Sequence, residues 1–209
     1  MELKVDLIEL EKEALKNNIP IMQKEGLAFM IEQLISSHAS SLLEIGSAVG
    51  YSSLMLAKNV EGLNIETIEL DDVRFKQAKE NVTFYHMNSQ ITLYHDDALT
   101  FDVSCLKNAP YDCLFIDAAK AQYQKFFEKY ITFLKDDGFV IVDNLDFHGM
   151  VFDIEHIKNR NTRQLCRKIK RFKEWMLNNE DYISTYYPIG DGIVLIRKKG
   201  FNETDGKSC

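Results

Sequence analysis

No stretch of this 209-residue chain approaches the ~18–20 consecutive apolar residues that a membrane-spanning helix needs. The opening residues, Met1-Glu2-Leu3-Lys4-Val5-Asp6, lack the basic patch and apolar run of a secretory leader. The cysteines (Cys105, Cys113, Cys166 and Cys209) are widely spaced and form no CxxC pair, which argues against a disulfide framework and against a thiolate zinc site. These absences predict a cytoplasmic protein with no membrane partner. An excess of positive charge is missing too. The formal net charge is −7, which argues against non-specific nucleic-acid binding. The average hides a local reversal: Lys158 to Lys173 holds eight basic residues and no acid, leaving −15 for the remainder.

What is present is an ordinary globular composition, 45% apolar and 27% charged, in a chain long enough for one domain with a sizeable core. Two amphipathic helices are predicted first, over Glu2–Lys16 and Gln23–Ser36, parted by Asn17-Asn18-Ile19-Pro20. Short apolar runs then alternate with helical patterns. The runs are Leu42–Ile45, Ile65–Leu70, Ile91–Tyr94, Cys113–Ile116 and Phe139–Val142, of which Ile91–Tyr94 is the weakest. Helices are expected over Ser52–Val60, Asp72–Met87 and Gln122–Leu134, and a longer one near Ile154–Asn178. Such alternation predicts an α/β doubly wound sheet. Tyr182–Tyr187 and Gly192–Arg197 are joined by Pro188-Ile189-Gly190-Asp191, too short for a helix, so they form an antiparallel hairpin. The whole resembles the seven-stranded, Rossmann-like class I S-adenosylmethionine methyltransferase fold. Residues 1–38 are a helical lead, 39–199 the methyltransferase domain and 200–209 a flexible tail.

In such sheets ligands bind at the C-terminal strand ends. The first strand runs into Glu44-Ile45-Gly46-Ser47-Ala48-Val49-Gly50-Tyr51-Ser52-Ser53. Gly46 and Gly50 permit close backbone approach, and Ser52 lies where a helix begins. The dinucleotide pattern GxGxxG fails at Ala48 and Tyr51, and a plain tight turn remains the alternative. Glu69, 23 residues after Gly46, ends the second strand where an acid accepts both hydroxyls of a ribose; a solvated strand-end acid is the bland option. His95-Asp96-Asp97-Ala98 follows the third strand, where Asp97 is placed equally for an adenine amino group or for none.

The fourth and fifth strands end in Asp117-Ala118-Ala119-Lys120 and Asp143-Asn144. Neighbouring strand tips bring Asp117, Asp143 and Asn144 together, and three oxygen ligands suit a hard cation such as Mg²⁺. Two helix caps and a turn residue are the alternative. Lys120 lies where its amine takes a proton or holds an oxyanion beside Asp117, or is simply a surface lysine. On the helix after residue 154, Leu165, Ile169, Phe172 and Met176 share one stripe. Arg160, Arg163, Arg167, Lys170 and Arg171 share the other. A ridge without acid partners suits an RNA phosphate backbone, or is only a solubilising face.

Glu-Ile-Gly-Ser-Ala-Val-Gly-Tyr-Ser (44–52), Glu69, Asp-Ala-Ala-Lys (117–120) and Asp-Asn (143–144), in order, resemble the metal-dependent O-methyltransferases of catechol and caffeoyl-CoA type, from about Ile19 to Lys198. Within that group Asn-Asn-Ile-Pro-Ile-Met (17–22), Asp-Ala-Ala-Lys-Ala-Gln-Tyr (117–123) and the basic helix with Trp175 resemble bacterial tRNA 5-hydroxyuridine methyltransferases. The resemblance implies a homodimer in which Met22, Ser52, Glu69, Asp97, Ala98 and Asp117 line the S-adenosylmethionine site. It implies methylation of the wobble 5-hydroxyuridine in the anticodon loop of tRNA. Methylation of a small catechol-like phenol, or an inactive fold that binds RNA, are the competing readings. Asp146 departs from the family pattern, where an apolar residue is usual, and the helical lead is short.

Overall fold

The computed structural model describes residues 3–200. The expected tail, apart from Gly200, and Glu2, the first residue of the expected N-terminal helix, lie outside them. Helix α1 (Ile8–Lys16) begins later than its periodicity suggests. The chain before it is pinned by Asn59, whose side chain accepts from the Val5 amide and donates to the Val5 carbonyl, both at 3.0 Å. Helix α2 (Lys24–Ser36) follows, and then the expected alternation of β1 (Ser41–Ile45), α3 (Tyr51–Asn59), β2 (Asn64–Glu69), α4 (Asp72–Phe84), β3 (Ile91–His95), β4 (Tyr111–Ile116), α5 (Tyr123–Tyr130) and β5 (Leu134–Val142). Helix α6 (Arg160–Leu177) and the hairpin of β6 (Tyr182–Tyr187) and β7 (Ile193–Lys198) complete the chain.

The seven strands form one sheet in the order β3-β2-β1-β4-β5-β7-β6. Strands β1 to β5 are parallel, and β7 runs antiparallel to both β5 and β6. This is the class I methyltransferase architecture predicted above. Strand order reverses between β1 and β4, and the ligand crevice of a doubly wound sheet opens there. The interior strands β1 and β4 are almost wholly buried, as their continuous apolar character requires. Strand β3 is an edge strand with only Ile91 buried, which is why its pattern is faint.

Two boundaries differ from expectation for local reasons. Strand β5 starts at Leu134, through Lys135-Asp136-Asp137-Gly138, because the charged residues sit at the sheet's end, where Lys135 pairs with Asp112 at 2.6 Å. The long helix is split: a 3₁₀ turn covers Ile154–His156, and α6 restarts at Arg160, where the Asn159 side chain accepts from the amides of Asn161 and Thr162. Apolar cores fill both faces of the sheet. One packs the N-terminal helices and α3 on β1, with Leu27, Met30, Leu54 and Phe115 buried; the other packs α5 and α6, with Phe127, Ile169, Phe172 and Met176 buried. The lead helices share the first of these cores. Among the described residues no helix is long and apolar enough to cross a membrane.

Candidate active site

A pocket of about 1240 Å³ opens over the C-terminal ends of β1, β2, β4 and β5. Its floor is the loop after β1. Gly46 has φ of +93°, and a Cβ there would meet the Asp117 carbonyl oxygen at 2.5 Å, so only glycine lets this loop touch the tip of β4. The Glu69 carboxylate, 7% exposed, accepts from the amides of Ala48 and Asp71, each at 2.8 Å. It thus ties the loop to the start of α4 while each oxygen keeps a second lone pair facing the pocket. Asp97 and Ala98 also line the pocket; one Asp97 oxygen accepts from the Leu99 amide at 2.8 Å, and the Ala98 carbonyl is held by the Tyr130 hydroxyl at 2.6 Å. Ser52 lines the wall, but its hydroxyl donates to Glu44 beneath the loop. Met22 is not brought to the pocket. It is 3% exposed and packs in the core against Gly26, while its neighbours Ile21 and Gln23 reach the pocket wall.

Glu44 was visible in the sequence only as part of a motif. It is fully buried, receives the hydroxyls of Ser52 and Ser53, and burial pushes its pKa up to about 7. A carboxyl raised above its unfolded value favours the folded state while protonated. Its contribution is complete below about pH 4.5 and is lost as pH rises through about 7, a change of roughly 3 kcal/mol. Urea unfolding at pH 5 and pH 8 should therefore show a smaller loss of stability for Glu44→Gln than for the unaltered protein. Parallel pH profiles would remove Glu44 as the source.

At the other end of the pocket Asp117, Asp143 and Asn144 do converge. The Asn144 amide nitrogen donates to Asp117 at 2.8 Å and to Asp143 at 3.1 Å, so both carboxylates are within reach of a single atom. Neither aspartate caps a helix, which disposes of that alternative. Asp143 is 3% exposed, and burial, reinforced by the charge of Asp117, raises its pKa; burial raises Asp117 as well. Two buried acids aimed at one point resist being ionised together, and a cation between them would favour the doubly ionised pair. A half-turn of the Asn144 amide exchanges its nitrogen for its oxygen and completes a set of hard oxygen donors. Among the described residues no group of three His, Cys, Asp or Glu side chains has metal-holding geometry; two carboxylates and an amide make up this set. Lys120 lines the same pocket, with its Nζ 5.8 Å from the centre of the Phe147 ring, and its charge opposes the rise of both aspartates.

Sequence reasoning missed a third acid. Asp191, in the link before β7, is 6% exposed and lines the pocket; it accepts from the His148 amide, and its other oxygen has no hydrogen-bond partner. Its charge adds to the pressure on Asp117 and Asp143. In the sequence it is the last residue of the short hairpin link, and nothing local marks it as a pocket residue. The unusual Asp146 also has a structural account. Its carboxylate takes Lys173 of α6 at 3.0 Å and the Tyr186 hydroxyl of β6 at 2.5 Å, which fixes the loop after β5 to both elements. An apolar residue there would leave Lys173, whose amine lies 3.4 Å from the centre of the Tyr186 ring, without its counter-ion.

Arg160, Arg167, Lys170 and Arg171 are exposed on α6, and Arg163 is half-buried. Cys166, not Leu165, completes the buried stripe; Leu165 faces the pocket instead. The ridge does have acid partners, contrary to expectation. Arg167 meets Glu155 of the preceding 3₁₀ turn at 3.4 Å, and Lys170 meets Glu174 one helical turn on at 4.0 Å. Both pairs are exposed and weakly held, so the ridge stays strongly basic.

The chain matches the O-methyltransferase family over residues 2–199. A crystal structure of a candidate caffeoyl-CoA O-methyltransferase from Staphylococcus aureus is 35% identical, covers 93% of each chain and superposes with a TM-score of 0.88. A Dictyostelium discoideum protein named as a probable caffeoyl-CoA O-methyltransferase is 26% identical over 205 residues, 94% of this chain and 86% of that protein. The catechol O-methyltransferase of Niastella koreensis is 25% identical over 171 residues, 80% of this chain and 71% of that protein. With its sheet order and glycine-rich loop after β1, the chain belongs to the O-methyltransferase family, as an S-adenosylmethionine-dependent enzyme of the caffeoyl-CoA and catechol type.

Proposed function

We propose that this enzyme transfers the methyl group of S-adenosylmethionine to the 5-hydroxyl of 5-hydroxyuridine at the wobble position of tRNA, giving 5-methoxyuridine. The observation that carries the reading is the placement of α6. Its residue Leu165 lines the same pocket as Lys120, Asp143 and Asn144, so the basic helix borders the acceptor end. An anticodon-loop base is unpaired and enters such a pocket while its backbone meets the helix.

The acceptor carries a hydroxyl beside a carbonyl, the same vicinal oxygen pair as a catechol. Asp117, Asp143 and Asn144 would hold a hard divalent cation such as Mg²⁺, which when bound supplies the positive charge that acidifies the hydroxyl. The chain's own groups do the remainder. Glu69 and Asp97 hold the cofactor, Tyr123 fixes the Asp143 backbone through its 2.8 Å hydrogen bond to the carbonyl, and Phe147 walls the pocket against water. In the transfer a carbon–oxygen bond forms as the carbon–sulfur bond breaks. The sulfonium leaves as the neutral thioether of S-adenosylhomocysteine, the hydroxyl proton passes to solvent, and the Lys120 ammonium holds the oxyanion that remains.

A small catechol-like phenol is the second reading, favoured by the likeness to the Niastella enzyme. Arg163→Glu combined with Arg167→Glu separates the two. Transfer to 5-hydroxyuridine-containing tRNA should fall steeply, and the slope of log affinity against log salt should flatten by about 2. Transfer to free catechol should stay level, because neither arginine lines the pocket. Equal retention of both activities would favour the phenol.

A further inference from the structure

A second, smaller cleft shares Lys120 with the main pocket. It holds about 230 Å³, several times the ~30 Å³ of a water molecule, and lies between α5 and α6. Its walls are Lys120, Lys168, Arg171 and Gln124, over a floor of Tyr123 and Phe172, whose ring centres are 5.5 Å apart. All three charged residues are cations, and none forms an ion pair among the described residues. Their neighbours on α6 are engaged elsewhere: Arg167 with Glu155, Lys170 with Glu174, and Lys173 with Asp146. The Gln124 amide is turned to Glu128, at 2.8 Å.

Arg171 gives one N–H to the Arg167 carbonyl at 3.4 Å and Lys120 also feels Asp117 and Asp143, but among the described residues no carboxylate pairs with any of the three cations around this hollow. Their mutual repulsion is relieved by an anion with several acceptor oxygens. A phosphodiester is such an anion, and the aromatic floor suits the sugar attached to it. Lys168 and Arg171 lie three residues apart on one face of α6, and Lys120 begins the turn that leads into α5, so the hollow is framed by regular elements. Because Lys120 belongs to both cavities, a group bound here is one side chain away from the acceptor.

We propose that this cleft takes an RNA backbone phosphate flanking the nucleotide that is methylated. The inference rests on the tRNA reading above and adds to it a fixed anchor, distinct from the general attraction of the outer ridge.

The test uses the full chain loaded with S-adenosylhomocysteine and an anticodon stem-loop RNA carrying 5-hydroxyuridine, with binding followed by fluorescence anisotropy. Phosphates on either side of the wobble nucleotide are replaced one at a time by neutral methylphosphonate. At one position the unaltered protein should lose about tenfold in affinity, as for a lost charged hydrogen bond. Lys168→Ala should bind intact RNA about tenfold more weakly and lose nothing further at that position. Lys168→Arg should restore the discrimination. Lys168 is exposed, so its replacement leaves the fold intact. Additive losses at every position, with RNA still bound, would overturn the cleft assignment alone. Failure of the unaltered protein to bind the stem-loop at all would overturn the tRNA reading together with it.

Discussion

Replacing Asp143 by alanine is expected to reduce methyl transfer by roughly 10²–10³-fold, while S-adenosylmethionine binding persists and the fold does not weaken. The two halves of this result have one cause. Asp143 is buried beside Asp117, and burial together with that like charge raises its pKa, so its charge is unwelcome in the folded chain. When ionised its carboxylate contributes little to stability, and its removal relieves the repulsion with Asp117. The Tyr123 hydrogen bond goes to the backbone of residue 143 and survives the substitution. Glu69 and the glycine loop, the groups proposed to hold the cofactor, lie at the tips of other strands. Calorimetric titration with S-adenosylmethionine, thermal melting at pH 9 and turnover together read the pattern. Chelation of the unaltered enzyme should reproduce the loss, and Mg²⁺ should reverse it. Full turnover in excess chelator would sink the cation site.

Glu69→Ala should have the complementary effect. Loss of a charged acceptor at the cofactor is expected to weaken S-adenosylmethionine binding by about 1–3 kcal/mol. Because the same carboxylate holds the amides of Ala48 and Asp71, the melting temperature should fall as well. Glu69→Gln retains one acceptor oxygen and places a donor at the other, so it should fall between the two. Saturating cofactor should restore much of the turnover in Glu69→Ala and none in Asp143→Ala. An unchanged dissociation constant would reduce Glu69 to a loop tether.

The contrast between these residues and Asp191 shows what the sequence makes readable. Parallel strands buried on both faces announce themselves as apolar runs, and the residues at their C-terminal tips must face the crevice. Glu69, Asp117, Asp143 and Asn144 were therefore placed by strand position alone. Asp191 enters the pocket from the turn before an antiparallel strand, and no local pattern reports where a hairpin turn will fold back. The helical wheel set the angle of α6 correctly, since Ile169, Phe172 and Met176 are buried. It gave no account of long side chains that bend inward, and Lys173, counted with the basic segment, is committed to Asp146. The charged opening of β5 carries no apolar pattern because its contacts are ionic, with Lys135 on Asp112 and Lys198 on Asp136. Met22 followed the family resemblance to the cofactor, whereas packing against Gly26 turns its side chain to the core.

At Gly46 two backbones touch with no side chain between them. The separation of the β1 loop from the tip of β4, and with it the distance proposed between methyl donor and acceptor oxygen, is thus set by close backbone packing, which is stiff, and not by rotamers, which drift. For a transfer in which a 1 Å error costs on the order of 100-fold in rate, that is the property to preserve. Variation elsewhere in the pocket changes what is held and how tightly; the reach of the reaction is written into the main chain.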